Sequence, residues 1–139
     1  MRRLSWPASR LVVQSPKGRT LVNFDTNFFT RNTAATTRVV SLLGQRVTIA
    51  ASPTAYTWVF GDKTSTTTTT PGAAYPRLLV THRYLRRGHY LPRVDTTYGG
   101  RYRVGRGPWI PISGTVTVTG ATARLEAVTA TPLLTNPYG

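Results

Sequence analysis

From Tyr56 to Phe60 the chain alternates strictly: Tyr56, Trp58 and Phe60 share one parity, Thr57 and Val59 the other. A strand with this period of two sets the three rings on one face, where they bury much apolar area. Gly61 and Asp62 end it, the glycine relaxing the backbone and the carboxylate accepting N–H bonds in the turn that follows. The same period returns in Val80, His82 and Tyr84, in Thr115–Val118, and in Arg101–Val104, where the arginines share one side and Tyr102 and Val104 the other. Shorter runs predict strands at Arg10–Gln14 and Thr20–Thr30, joined by a turn at Ser15-Pro-Lys-Gly18. Val39, Val47 and Ile49 add strand positions around Gly44. No segment sustains apolar spacing at three and four residues, and valine, threonine, glycine and proline recur throughout, so the chain reads as all-β.

The breakers complete this outline. Gly88 is expected to turn the chain between two short strands ending at Tyr90, and Gly99-Gly100 and Gly105-x-Gly107 read as turn glycines. Residues 1–9 read as a linker and Asn32–Thr37 as a polar connector. Thr64–Thr70 reads as an exposed loop ending at Pro71-Gly72, with O-glycosylation as the sharper alternative. A length of 139 residues leaves room for one domain with a full core.

Two sets of residues carry a named resemblance. Tyr56-Thr-Trp-Val-Phe-Gly-Asp62, followed by Val80-Thr-His-Arg-Tyr-Leu-Arg-Arg-Gly-His-Tyr90, resembles the signature of the PKD (polycystic kidney disease) domain. The resemblance spans roughly residues 38 to 120. It implies an immunoglobulin-like β-sandwich and an extracytoplasmic, non-catalytic binding or spacer module. Lys63 stands where that family usually has a second glycine, which leaves the turn geometry there open. Arg19–Thr30, Val94–Val104, Gly107-Pro-Trp109 and Gly114–Val118 further resemble short secreted PKD-type proteins of high-GC Gram-positive bacteria. Such proteins carry an export or anchoring segment ahead of this region. The start Met1-Arg-Arg lacks the apolar run of a signal peptide, so Met1 is expected to be an internal start or the chain a piece of a longer product.

Candidate chemistry narrows the function further. The only acids are Asp25, Asp62, Asp95 and Glu126, and there is no cysteine. Thiolate nucleophiles, cysteine-ligated metals, opposed catalytic carboxylates and a glycine-rich phosphate loop leading into a helix are all missing, so no enzyme is expected. Asp62 alone cannot supply an oxygen-rich calcium shell, and no cofactor or metal is expected. His82 lacks an evident nucleophile to serve as a base; it reads with Tyr84 as a ring contact whose polar edge meets a loop carbonyl. His89 reads as exposed.

Charge sets the expected partner. The formal net charge is +14, and all cationic side chains except Lys17 and Lys63 are arginines. Such a surface steers acidic partners toward itself in a salt-dependent way. Between Thr96 and Ile112 aromatics interleave with guanidinium groups, the materials of phosphate, carboxylate or sugar recognition. The candidate ligand residues are Tyr98, Arg101, Tyr102, Arg103, Arg106 and Trp109, with Arg83, Arg86 and Arg87 as a secondary basic patch. The alternative is a solvated strand with Tyr102 and Trp109 tucked into the core.

The expected organisation is an N-terminal linker and β extension (1–37), a PKD-like sandwich (38–120) with a long hairpin at 95–114, and a C-terminal strand and tail (121–139). The expected function is a non-catalytic cell-surface or secreted module for an anionic polymer, a carbohydrate or another surface protein. A structural spacer or assembly subunit is the first alternative. A cytoplasmic nucleic-acid-associated protein is the second; nonspecific nucleic-acid binding is expected at low salt, but no groove-reading motif is present. No apolar stretch is long enough to span a membrane.

Overall fold

The computed structural model describes residues 4–130. Its strands are β1 (Val12–Gln14), β2 (Arg19–Leu21), β3 (Thr26–Phe29), β4 (Thr36–Leu42), β5 (Gln45–Val59), β6 (Ser65–Thr68), β7 (Thr81–His82), β8 (Gly88–Tyr90), β9 (Arg93–Val104), β10 (Ile110–Pro111), β11 (Val116–Val118) and β12 (Leu125–Val128). A short 3-10 turn at Pro16–Gly18 is the helical element among the described residues.

One layer is organised by two long strands. β5 and β9 pair antiparallel from Val47↔Val104 to Val59↔Arg93. β4 flanks the first part of β5 and β6 the last part, while β11 and β10 flank successive parts of β9. The second layer is two small sheets, β1-β3-β7 and β2-β12-β8, in which β2 and β12 run parallel. Between the layers Tyr56, Trp58, Phe60 and Val94 meet Leu11, Phe28, Val80, Tyr84, Leu125 and Ala127. The alternation at 56–60 thus does what it predicts: its even-numbered rings form the centre of an immunoglobulin-type β-sandwich.

The second layer covers only one end of β5 and β9. Toward the other end the sheet continues as an arm built from β4, the first half of β5, the second half of β9, and β10. The main core cluster takes β5 residues from Tyr56 onward and Val94 of β9, while Val47, Ala51 and Tyr98 are buried outside it. The arm ends in a two-residue hairpin at Leu43-Gly44, with φ of 52° and 76°, a turn whose twist matches its strands. Leu43 at the tip is fully exposed.

A bulge joins arm to body. The β5–β9 register shifts between Pro53 and Ala55, so Thr54 is an extra residue in β5. Before it Val47, Ile49 and Ala51 lie opposite Val104, Tyr102 and Gly100; after it Tyr56 and Trp58 lie opposite Thr96 and Val94. The parity of β5 changes while that of β9 does not, and the core-facing side of the sheet runs unbroken into the arm.

Several expectations change. The N-terminal segment is not an appendage: β1 and β3 form part of the second layer, and Leu11 and Phe28 are core residues. The boundary at 37/38 therefore cuts through one packed body. The first residues of the expected linker and the tail beyond 130 lie outside the described residues. Thr20–Thr30 breaks into β2 and β3 because Asn23 turns the chain at φ 67°. Gly99 and Gly100 sit inside β9, not in a turn; a Cβ on Gly100 would lie 2.9 Å from the Ala50 carbonyl oxygen. They serve close backbone approach beside the bulge. Gly88 likewise opens β8, pairing with Ala127, instead of turning between strands. The threonine tract is largely strand, since Ser65–Thr68 pairs with Tyr56–Val59 and Thr68 Oγ1 accepts the Trp58 indole N–H at 2.8 Å. The expected hairpin at 95–114 is half of the larger arm, because β9 pairs along its length with β5.

Candidate functional site

Asp62 Oδ2 accepts from His82 Nε2 at 2.6 Å, and Oδ1 accepts from the Thr64 backbone N–H at 3.1 Å and from the Thr64 hydroxyl. The polar edge of His82 therefore meets a carboxylate, not the loop carbonyl expected. The imidazole stacks on Phe60 at 3.9 Å between centroids and meets the edge of Tyr84 at 4.8 Å. Tyr84 donates its hydroxyl to the Phe60 carbonyl at 2.7 Å, and burial holds its phenol proton on far above the ordinary pKa. Every member is occupied by another, so the cluster ties the end of β5 to the β7 loop. Lys63 adopts the left-handed backbone, φ 70°, that a second glycine would take freely.

This tie has an acid-stability signature. Burial alone would raise the Asp62 carboxyl, but the hydrogen bonds from Thr64 and His82 and the imidazole charge hold it below the ordinary carboxylate value. A depressed folded-state pKa stabilises the fold above the unfolded pKa of about 3.9, and that share is lost as pH falls through the folded value. The expected result is that wild type loses stability from about pH 4 downward more steeply than Asp62→Asn. Urea midpoints of both proteins across that range check it.

The acids are spoken for throughout. Asp25 pairs with Arg83 at 2.8 Å, Asp95 with Arg93 at 3.0 Å, and Glu126 with Arg19 at 3.1 Å and His89 at 3.5 Å. All lie in the body. The secondary patch is accordingly divided: Arg83 is engaged, while Arg86 and Arg87 are exposed in the loop before β8.

The arm is different. From 36 to 53 and from 98 to 118 it carries Arg38, Arg46, Arg101, Arg103 and Arg106 and no carboxylate. Alternation along β9 sets Arg101 and Arg103 on the outer side and Tyr102 and Val104 on the inner. Trp109, one residue before β10, folds onto the outer side: its ring centroid lies 4.5 Å from the Arg101 guanidinium carbon and 4.8 Å from that of Arg103. Both cations are thus held on one indole, and Arg103 Nε, buried there, has no hydrogen-bond partner among the described residues.

The other predicted ligand residues part company with this group. Tyr98 is buried at 2 % exposure, and its hydroxyl donates to the Pro7 carbonyl at 2.5 Å and accepts from Asn32 Nδ2 at 2.7 Å. It is a strut between the body and the segment before β1. Tyr102 lies on the opposite face from the arginines, and Arg106 is exposed in the turn after β9. Arg46, which extends the basic face across β5, escaped sequence reading. The signal was its shared parity with Thr48, which pairs with Arg103, and it became legible only with the register. Trp6 and Arg38 escaped too: Trp6 lies against Tyr98 and Arg38 over Trp6 at 5.6 Å.

Together the two layers and the continuous β5–β9 pair define an immunoglobulin-like β-sandwich module. The chain belongs to the PKD domain family, whose model matches residues 26–97, just over half of its length. Domains of this family are typically extracellular and non-catalytic. The match runs from β3 to the first half of β9, so Arg101, Arg103, Arg106 and Trp109 lie beyond it. Comparison with curated proteins and with solved structures gave no match. No helix among the described residues is long and apolar enough to cross a membrane.

Proposed function

We propose that this chain is a non-catalytic docking module of the cell exterior that holds an anionic partner on the outer face of its arm. The observation that carries this reading is the pair Arg101 and Arg103 stacked on Trp109, in a segment without any carboxylate. A planar guanidinium can offer paired N–H donors to a phosphate or carboxylate. Stacking on the indole limits the freedom these side chains would otherwise lose on binding. The family's typical location and lack of catalysis support the same reading.

The test titrates the full chain with a glycerol-phosphate polymer and with a neutral glucan over a range of salt. The phosphate polymer is expected to bind with affinity that falls as salt rises. Arg101→Gln with Arg103→Gln should weaken it about tenfold or more and reduce the slope of log affinity against log salt by about 1.5. Equal affinity for the neutral glucan would favour carbohydrate recognition instead. An unchanged salt slope in the double variant would remove the arginine pair from the site.

A second reading, an assembly subunit, draws on the inner face of the arm. There Leu42 is 58 %, Val104 42 %, Ile110 41 % and Ile112 40 % exposed, more apolar surface than a solvated spacer needs.

A further inference from the structure

We infer that the free edge of β4 takes up an extended, acidic segment of a partner protein as an added strand. This rests on the reading of the arm as a surface for acidic groups, and it adds a second place on that arm, the edge two strands from Arg101 and Arg103.

The edge itself is the first argument. β4 ends the sheet order β10-β9-β5-β4, so its far side has no strand among the described residues. The hairpin closes on Leu42↔Gln45, and in such a turn the closing pair exchanges hydrogen bonds. Alternation from there bonds Val40, Arg38 and Thr36 to β5 and turns the N–H and C=O groups of Thr37, Val39 and Ser41 outward. The Arg46 carbonyl accepting from the Gly105 N–H at 2.7 Å fits the same phase, since it leaves the even-numbered residues of β5 to β9. Exposed edges are commonly blunted by proline, lysine or a bulge. Thr36–Leu42 contains none of these, and its one charge, Arg38, is drawn over Trp6.

Side chains say what kind of backbone belongs there. The inner face beside this edge presents Val40 and Leu42 next to Val47 and Ile49, a continuation of the core side that the second layer never reaches. A polyphosphate or sugar chain has neither the apolar groups nor the amide ladder to match it. An extended peptide has both. The occupant is not a second copy: every charged side chain of the arm is arginine and the whole chain carries +14, so two copies repel. A strand with apolar residues toward Val40 and Leu42 and carboxylates on its other face, the side of Arg46, answers face and charge together.

The experiment offers the full chain a capped peptide alternating valine with glutamate, and a control peptide of the same composition with its glutamates in one block. Amide exchange at Thr37, Val39 and Ser41 is expected to slow at least about tenfold with the alternating peptide. Val39→Pro removes an outward N–H that β5 does not use, and should weaken that peptide at least about tenfold while glycerol-phosphate polymer binding stays unchanged. If Val39→Pro fails to fold, the exchange pattern of wild type decides. Equal binding of the block control, or binding without protection at the edge, overturns strand addition. So does failure of the peptide to bind while the polymer binds, and that result leaves the anionic reading standing. Failure of both ligands on wild type removes both.

Discussion

Gly120→Ala is expected to destabilise the protein by about 3 kcal/mol, the upper range for forced overpacking. A Cβ built there would lie 2.1 Å from the Val94 carbonyl oxygen and 3.0 Å from that of Ser9. Both obstacles are backbone, so no rotamer change relieves them. Gly120 is also buried with its N–H donating to Asp95 Oδ1 at 3.1 Å, and any shift that makes room loosens that bond. The neighbouring Ser9–Thr96 hydroxyl contact would be disturbed as well. Thermal and urea unfolding of the variant measure the loss. A melt indistinguishable from wild type would mean that the chain does not cross β9 this closely.

Trp58→Ala is expected to cost about 4 kcal/mol, against a total stability of about 5–15 kcal/mol for a domain. Trp58 is 1 % exposed and lies among Tyr56, Phe60, Tyr84 and Val94 at the centre of the sandwich. Its indole N–H also fixes Thr68 and through it β6. Trp58→Phe keeps most of the ring volume and loses that donor, with an expected cost of about 1–2 kcal/mol. The difference between the two variants in urea separates filling the core from tethering β6. Similar losses for both would assign the main role to the hydrogen bond.

Much of the body was legible from residue parity alone. Tyr56, Trp58 and Phe60 read as core because alternate rings on a strand have one place to go, and Val80 and Tyr84 follow by the same rule. What parity cannot reveal is how far a second layer extends. Nothing local in Thr36–Leu42 distinguishes a strand under cover from one left at an edge, because that depends on the lengths of β1, β3, β7, β8 and β12. The site was legible in part for a related reason. Arg101 and Arg103 share a side by spacing, but the position of Trp109 over them required the turn at 105–109, and Tyr98 was misassigned because its partners Asn32 and Pro7 are distant in sequence. Gly99-Gly100 misled because adjacent glycines signal a turn unless a backbone elsewhere crowds them.

The single extra residue at Thr54 also sets a rule of phase, much like a reading frame. Lengthening the arm by pairs of residues in β5, matched in its neighbours, preserves which side faces the core and which bears arginine. Adding or removing one residue between Thr54 and the tip would send Val47 and Ile49 to the side of Arg101, while the rings at 56–60 stayed in place. Arm and body share two strands, yet one residue lets their surface chemistries be set independently.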